Sequence, residues 1–435
     1  MTDPFQGSIR TVRDRSVVHG LKHVAAVMTE LKNPAFYADR TLENWFSNHK
    51  ALGGSDRALI ADVVYALIRW QRRVEMATSA GDLMSACATL LTASGYTPEL
   101  IAEATGVSRE SIAESATRFL ALDPTQASDP ADLAVRASLP EWIAERLTVQ
   151  YGFERTREMA CASRFRAPVT LRVNTLKTTR ETVISLLNSS DIAASLTTLS
   201  PWGITLSEHR QIRGHRVMRD ALVDPQDEGS QLLAMITGAQ PGEAVVDACA
   251  GAGGKTLALA MMMENDGAIL AVDTGTRKLR ELERRARRSH VDIVRTERAP
   301  RTRVPADWRG SADRVLIDAP CSGSGTWRRI PDGPDHLSPS DLSDMANLQR
   351  KIIETYAPMV RPGGRLVYAT CSLFAQENAE VVEAWIVGSG FEIVPASECL
   401  PESVPDDVFD GPYLSITPEQ HGTDGFFAAV MVRTG

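Results

Sequence analysis

Over the first 125 residues, apolar positions recur at helical spacing and few β-branched runs interrupt them. That spacing gives helices with one buried face. It predicts helices over 17–31, 42–49, 57–73, 83–93, 98–104 and 109–122, with Ser55 or Asp56 placed to cap the third behind Gly53 and Gly54. Residues 123–132 are rich in Pro, Ser and Asp and read as a linker. From 133 to 222 the pattern mixes helical stretches at 140–151 and 180–187 with short strands at 169–173 and 204–206. From 223 onward short apolar runs at 244–247, 268–273, 314–318 and 365–369 alternate with helical stretches at 256–263, 277–289, 342–359 and 376–387. A last apolar run covers 425–432. Apolar strands alternating with helices predict a parallel sheet covered on both faces. The expected organisation is an all-α helical domain over 1–125, a small α+β module over 133–222, and an α/β domain of Rossmann-like, doubly wound type over 223–435.

Composition narrows the class. With 43% hydrophobic and 23% charged residues, the chain reads as globular rather than disordered. No apolar run reaches the length of a membrane span, and residues 1–15 are polar without the apolar stretch of a signal peptide. A cytoplasmic protein with no membrane partner is expected. The six cysteines are scattered without a C-x-x-C pair, which gives no support to a metal site and points to free thiols in a reducing compartment. The formal net charge of -8 argues against indiscriminate nucleic-acid binding. The charge is uneven, however: residues 275–309 carry 12 Lys and Arg against 5 Asp and Glu, and residues 1–80 carry 11 against 8. Such patches suit a defined RNA contact or a solvated helix face. Nothing in the sequence requires a dimer, so a monomer is expected.

The candidate chemistry gathers at strand ends. Asp247 closes an apolar run and is followed by Cys249, Ala250, Gly251, Ala252, Gly253, Gly254 and Lys255 at the start of a helix. Glycines there permit unusual backbone angles, and a helix start offers free N–H groups. A phosphate-binding P-loop is one reading, and with it a nucleotide hydrolase, although that motif needs a glycine where Cys249 stands. An S-adenosylmethionine pocket is the other. Asp273 ends the next strand, placed either to bind ribose hydroxyls or to cap the following helix. Asp318, Pro320 and Cys321 follow a third strand, and Cys371 follows a further one. Both thiols are expected at the carboxyl edge of the sheet, where open α/β folds bind ligands; the bland reading is two buried structural cysteines. A thiolate adding to carbon 6 of cytosine makes carbon 5 nucleophilic enough to take a methyl group. A buried acid such as Asp318 can protonate ring nitrogen 3 of the adduct.

At these residues the chain resembles the Sun/Fmu-type RNA (cytosine-5)-methyltransferases of the NOL/NOP/Sun family, whose bacterial members modify 16S ribosomal RNA. The matching strings lie at 247–256, 318–325, 362–378 and 224–231. Residues 138–152 and 171–174 resemble the family's pre-catalytic module, and 55–75 are similar to a NusB-like RNA-binding domain. The resemblance implies an S-adenosylmethionine-dependent enzyme acting on RNA. It makes Cys371 the nucleophile and Cys321 the thiol that helps to release product. It makes 249–255, Asp273 and Asp318 cofactor contacts or site lining, and Arg328 and Arg329 RNA contacts. Three departures stand out: Ala252 replaces a proline, no Asp follows the third strand, with Glu297 the candidate substitute, and residues 333–336 replace a Lys-Trp. A non-enzymatic RNA-binding factor with a relic domain is a further alternative, against which the retained cysteine pair argues.

Overall fold

Helices begin where a side chain can take the free N–H groups of a first turn. In the computed structural model, which describes residues 3, 5, 8–10, 14–33, 36–78, 82–208, 212–300 and 304–435, Asp82 caps Leu83–Ala93, Thr97 caps Pro98–Thr105 and Ser108 caps Arg109–Ala121. Most of residues 1–13, and Arg301 and Arg303 of the basic stretch, lie outside the described residues. Helices Asp14–Glu30 and Ala38–Asn48 also form as expected. The single helix expected over 57–73 is two, Gly54–Arg69 and Gln71–Ala77, because Trp70 adopts φ -120° and ψ 21°. Trp70 is fully buried against Phe5, and the buried Arg73 guanidinium lies over the Trp70 and Phe119 rings while pairing with Asp3 at 2.7 Å. Gly53, not Ser55 or Asp56, is the capping residue; Asp56 instead accepts from the Gly53 N–H at 3.2 Å.

The chain divides into two compact units, Met1–Arg166 with Thr326–Ser338, and Ala167–Gly325 with Pro339–Gly435. The linker expected over 123–132 is structured. Pro124–Gln126 is a 3-10 turn, and Pro130–Arg136 is a helix packed on Gln71–Ala77 and Glu141–Tyr151. The Asp-Pro signal there is a helix start rather than a loop: Asp129 accepts from Asp132 N at 2.9 Å and Pro130 takes the first turn. The helix Phe153–Arg164, for which no expectation was set, also belongs to the first unit, so the compact boundary falls after Arg166.

In the second unit, β1 (Thr170–Val173), β2 (Ala194–Leu196), β3 (Gly203–Leu206) and β4 (Val223–Pro225) form an antiparallel sheet in the order β2-β3-β1-β4. The remaining strands are β5 (Ala244–Ala248), β6 (Ala268–Asp273), β7 (Val294–Arg298), β8 (Ala312–Asp318), β9 (Val360–Thr370), β10 (Phe391–Val394), β11 (Phe409–Asp410), β12 (Tyr413–Ile416) and β13 (Phe426–Arg433). They build one sheet in the order β11-β12-β13-β9-β8-β5-β6-β7, with β10 also pairing β13. The five strands from β7 to β9 run parallel, and β13 is antiparallel to β9. Both faces are covered, which explains the continuous apolar runs. Val245, Leu316 and Val367 enter one core, and Val246, Val315, Ile317 and Leu366 enter the other. The short edge strands β10, β11 and β12 carry too few residues to show a period and were not expected.

This is a Rossmann-like, doubly wound architecture. Beside β5 the chain moves outward through β6 and β7, then returns to β8 on its other side. The strand order reverses between β5 and β8, and ligands of open α/β sheets bind outside the carboxyl ends at such a point. Among the described residues no helix is long and apolar enough to cross a membrane.

Candidate active site

The turn after β5 is built by backbone conformation. Cys249 (φ 68°), Gly251 (φ 58°) and Gly253 (φ 85°) are left-handed, and Gly253 stands directly before the helix Gly254–Met262. A Cβ at Gly253 would sit 2.5 Å from Leu282 Cγ, so the turn can lie this close to the neighbouring helix only with glycine there. Gly251 faces open space. Asp273, at the end of β6, accepts from Gly251 N at 2.9 Å and from Gly275 N at 2.6 Å. One carboxylate thus joins the turn to the start of the next helix and keeps lone pairs for a further donor. Burial pushes Asp247 up to about 7, opposed by the hydrogen bond from Thr256 Oγ1 at 2.6 Å. Burial likewise pushes the Cys249 thiol up to about 12. The turn fits S-adenosylmethionine: open backbone at Gly251, free N–H groups at the helix start and the Asp273 acid are the donors and acceptor its amino-acid and ribose parts require.

The two thiols meet. Cys371 directly follows β9, Cys321 lies three residues after β8, and their sulfurs are 3.3 Å apart. Adjacent parallel strands bring both ends to one edge, and backbone bonds lock the loops. Ala319 N donates to Ala369 O and Gly325 N to Cys371 O, each at 2.9 Å. The hydrogen bond to Cys371, then burial and the charges of Cys371 and Glu377, push the Cys321 thiol well above its ordinary value.

Asp318 ends β8 with its carboxylate 2.7 Å from Lys255 Nζ. Burial opposes the Lys255 charge, but Asp318 outweighs it and the ammonium is held above its ordinary value; Cys371 and Asp247 add to that pull. Lys255 and Thr256, which a P-loop would turn to phosphate and metal, are committed to Asp318 and Asp247. Glu297 lies on β7 and accepts from Arg295 Nε at 3.0 Å; Arg298, not Glu297, is in register with Asp273. Arg328 is buried in the first unit, where its carbonyl accepts from Arg69 at 3.1 Å, and Arg329 is exposed. The structure therefore brings together Cys249 to Lys255, Asp273, Asp318, Cys321 and Cys371, while Glu297 is paired with Arg295 on β7.

Two groups of residues escaped sequence reasoning. Arg172 of β1, fully buried, donates to Gly254 O at 2.6 Å, to Asp224 at 3.1 Å and to Gln226. Arg285 donates to Ala252 O at 2.6 Å and pairs with Asp224 at 3.3 Å. The small sheet thereby braces the turn after β5, and part of the basic stretch at 275–309 is spent on that brace. The strings at 171–174 and 224–231 marked these residues without revealing the contact. The second group is Glu377, Gln349, Ser322 and Ser372 around the thiols. Glu377 lay inside the matching string at 362–378 but carried no local signal.

Residues 234–432 match the family of 16S rRNA methyltransferase RsmB/F, and residues 139–213 match the ferredoxin-like domain of RsmF/B-like methyltransferases. The chain is 34% identical over 306 residues to the probable ribosomal RNA small subunit methyltransferase B of Bacillus subtilis, covering 70% of this chain and 68% of that protein. A solved methyltransferase homologue from Pyrococcus horikoshii is 28% identical with a TM-score of 0.59, covering 70% of this chain and 98% of its own. The structure called PH0851 shares the fold, with a TM-score of 0.76 at 23% identity over 97% of this chain and 99% of its own.

Proposed function

We propose, from the premise that the chain belongs to the RsmB/F family of 16S ribosomal RNA methyltransferases, that it methylates carbon 5 of a cytosine in small-subunit ribosomal RNA through a Cys371 adduct. The observation that carries the reading is the 3.3 Å approach of Cys321 and Cys371 at the sheet edge that also bears the turn after β5. S-adenosylmethionine, the family's methyl donor, supplies an electrophilic methyl group when bound. Cys249 to Lys255 and Asp273 hold it. Cys371 adds to ring carbon 6, which makes carbon 5 enamine-like and nucleophilic. Asp318, held by Lys255, faces ring nitrogen 3 and stabilises the adduct. The carbon 5 proton of the methylated adduct then passes to water, its bonding pair re-forms the carbon 5–carbon 6 double bond, and the Cys371–carbon 6 bond breaks with its electrons returning to the sulfur. Cys321, kept as a thiol, assists that release. The helical domain over 1–125 and the ferredoxin-like segment bind RNA, with Arg329 the exposed contact of its pair. The enzyme works in the cytoplasm as a monomer.

The test is a pair of substitutions assayed on 30S-derived RNA. Cys371→Ala is expected to abolish both methylation and the protein–RNA crosslink, and Cys321→Ala to accumulate a covalent adduct. Full activity of Cys371→Ala would overturn the proposal.

A further inference from the structure

The chemistry proposed above uses two sulfurs and leaves one buried acid unexplained. Glu377 has no exposed surface, and the hydrogen-bond partners of its carboxylate are all neutral. Its Oε1 accepts from Ser322 N at 2.8 Å and from Gln349 Nε2 at 3.0 Å, and its Oε2 accepts from the Ser372 hydroxyl at 2.5 Å. Ser322 follows Cys321 and Ser372 follows Cys371. Gln349 Nε2 also donates to Pro320 O at 3.0 Å, so the residue before Cys321 is tied in as well. The Tyr368 hydroxyl donates to the Glu377 carbonyl at 2.5 Å and fixes the turn that carries the acid. Three donors converge on one point, and an ionised carboxylate is the side chain that accepts from all of them.

We propose that Glu377 is the positioning residue of the thiol pair: by bonding the residue that follows each cysteine, it clamps the two strand-end loops and holds the sulfurs face to face. The proposal rests on the cysteine chemistry above and adds a component to it. The clamp is also electrically lopsided. Glu377 sets its negative charge beside Cys321, while Lys255, paired with Asp318, is the cation within reach of Cys371. Tyr368 of β9 is the remaining titratable group that senses Cys321. The two thiols therefore stand in unequal surroundings, the Cys321 side discouraged from carrying charge first by its hydrogen bond to Cys371 and by burial, and further by Glu377.

The test uses the full chain with Glu377→Gln, which keeps the shape and removes the charge, and Glu377→Asp, which keeps the charge and shortens the reach. In the RNA-free protein, iodoacetamide labelling of Cys321 and Cys371 is followed against pH by peptide mass spectrometry. Glu377→Gln is expected to raise Cys321 labelling relative to Cys371 by about tenfold at neutral pH, one unit of titration shift. Its kcat for RNA methylation should fall by about a hundredfold, the cost of misplacing reacting groups by about 1 Å, while KM for S-adenosylmethionine holds. Glu377→Asp should lose kcat with the labelling ratio kept. If Glu377→Gln melts early, Ser372→Ala removes the hydroxyl that donates to Glu377, together with its contacts to Ser322, Ser324 and Phe374, and should show the same loss of kcat. Wild-type labelling ratio and kcat in Glu377→Gln, or wild-type kcat in Ser372→Ala, would overturn the proposal. The labelling is read without RNA, so it reports on the clamp even if Cys371→Ala proves active.

Discussion

Replacing Gly325 with alanine tests whether the loop carrying Cys321 is set by backbone contact. Gly325 crosses Gly425 so closely that an added Cβ would lie 2.7 Å from the Gly425 carbonyl carbon and 2.8 Å from its Cα, with the carbonyl oxygen nearer still. Backbone cannot rotate out of the way as a side chain can, so the two segments must part by about 1 Å. One bond spans that contact, Gly425 N to Gly325 O at 2.8 Å, and another ties the same glycine to the second thiol loop, Gly325 N to Cys371 O at 2.9 Å. Losing both costs about 2 kcal/mol, and overpacking adds about 1–3 kcal/mol. A loss of about 4 kcal/mol is a large share of the roughly 5–15 kcal/mol of a typical domain. Because the second bond ends on Cys371, the same displacement moves the sulfur and should lower kcat by about a hundredfold. Urea unfolding followed by circular dichroism, with single-turnover methylation in parallel, measures both. Gly214→Ala is the control, since its Cβ meets open space and its φ is not left-handed, and it should stay within about 0.5 kcal/mol. A wild-type urea midpoint and rate for Gly325→Ala would refute the reasoning.

Three other perturbations follow from the geometry. Asp247, raised by burial from 3.8 to about 7, holds its proton in the folded state longer than in the unfolded chain. Its stabilisation is full at pH values below 3.8 and is lost as pH rises through 7, so Asp247→Asn should flatten that decline in urea midpoints; parallel curves would contradict it. Asp273→Ala should weaken S-adenosylmethionine binding by about tenfold to a hundredfold in calorimetry, as expected for a lost hydrogen bond to a charged group, and unchanged affinity would place the ribose contact elsewhere. Arg172→Met removes the buried partner of Asp224 and the donor to Gly254 O, and should cost about 3–5 kcal/mol in denaturation; a cost below about 1 kcal/mol would show that Arg285 and Arg288 suffice to neutralise Asp224.

Some of this site was legible residue by residue. The apolar run into Asp247, the glycines after it and the helix beyond form one local unit, so strand, turn and helix read correctly from their own spacing. Asp273 and Cys371 were legible for the same reason, each standing at or just after the end of a run. The stretch 123–132 was misread because Asp and Pro serve loops and helix starts alike, and the packing of Pro130–Arg136 decides between them. Glu297 was chosen by charge type as the adenine-end contact, and the register that pairs it with Val272, with Arg298 opposite Asp273, could not be read from the sequence. Arg328 matched a basic string, yet burial takes it from solvent.

The sequence by itself determined the order of strands and helices and put a cysteine beyond the end of each of two strands, because period and turn chemistry act over a few residues. Only the tertiary structure decided that β8 and β9 lie side by side, that their sulfurs touch, and that Glu377 closes on Ser322 across 55 residues and on Gln349 across 28. Such pairings arise when distant segments bury their faces together, and the burial that selects them is shared by the whole sheet and marked on none of the residues it brings into contact.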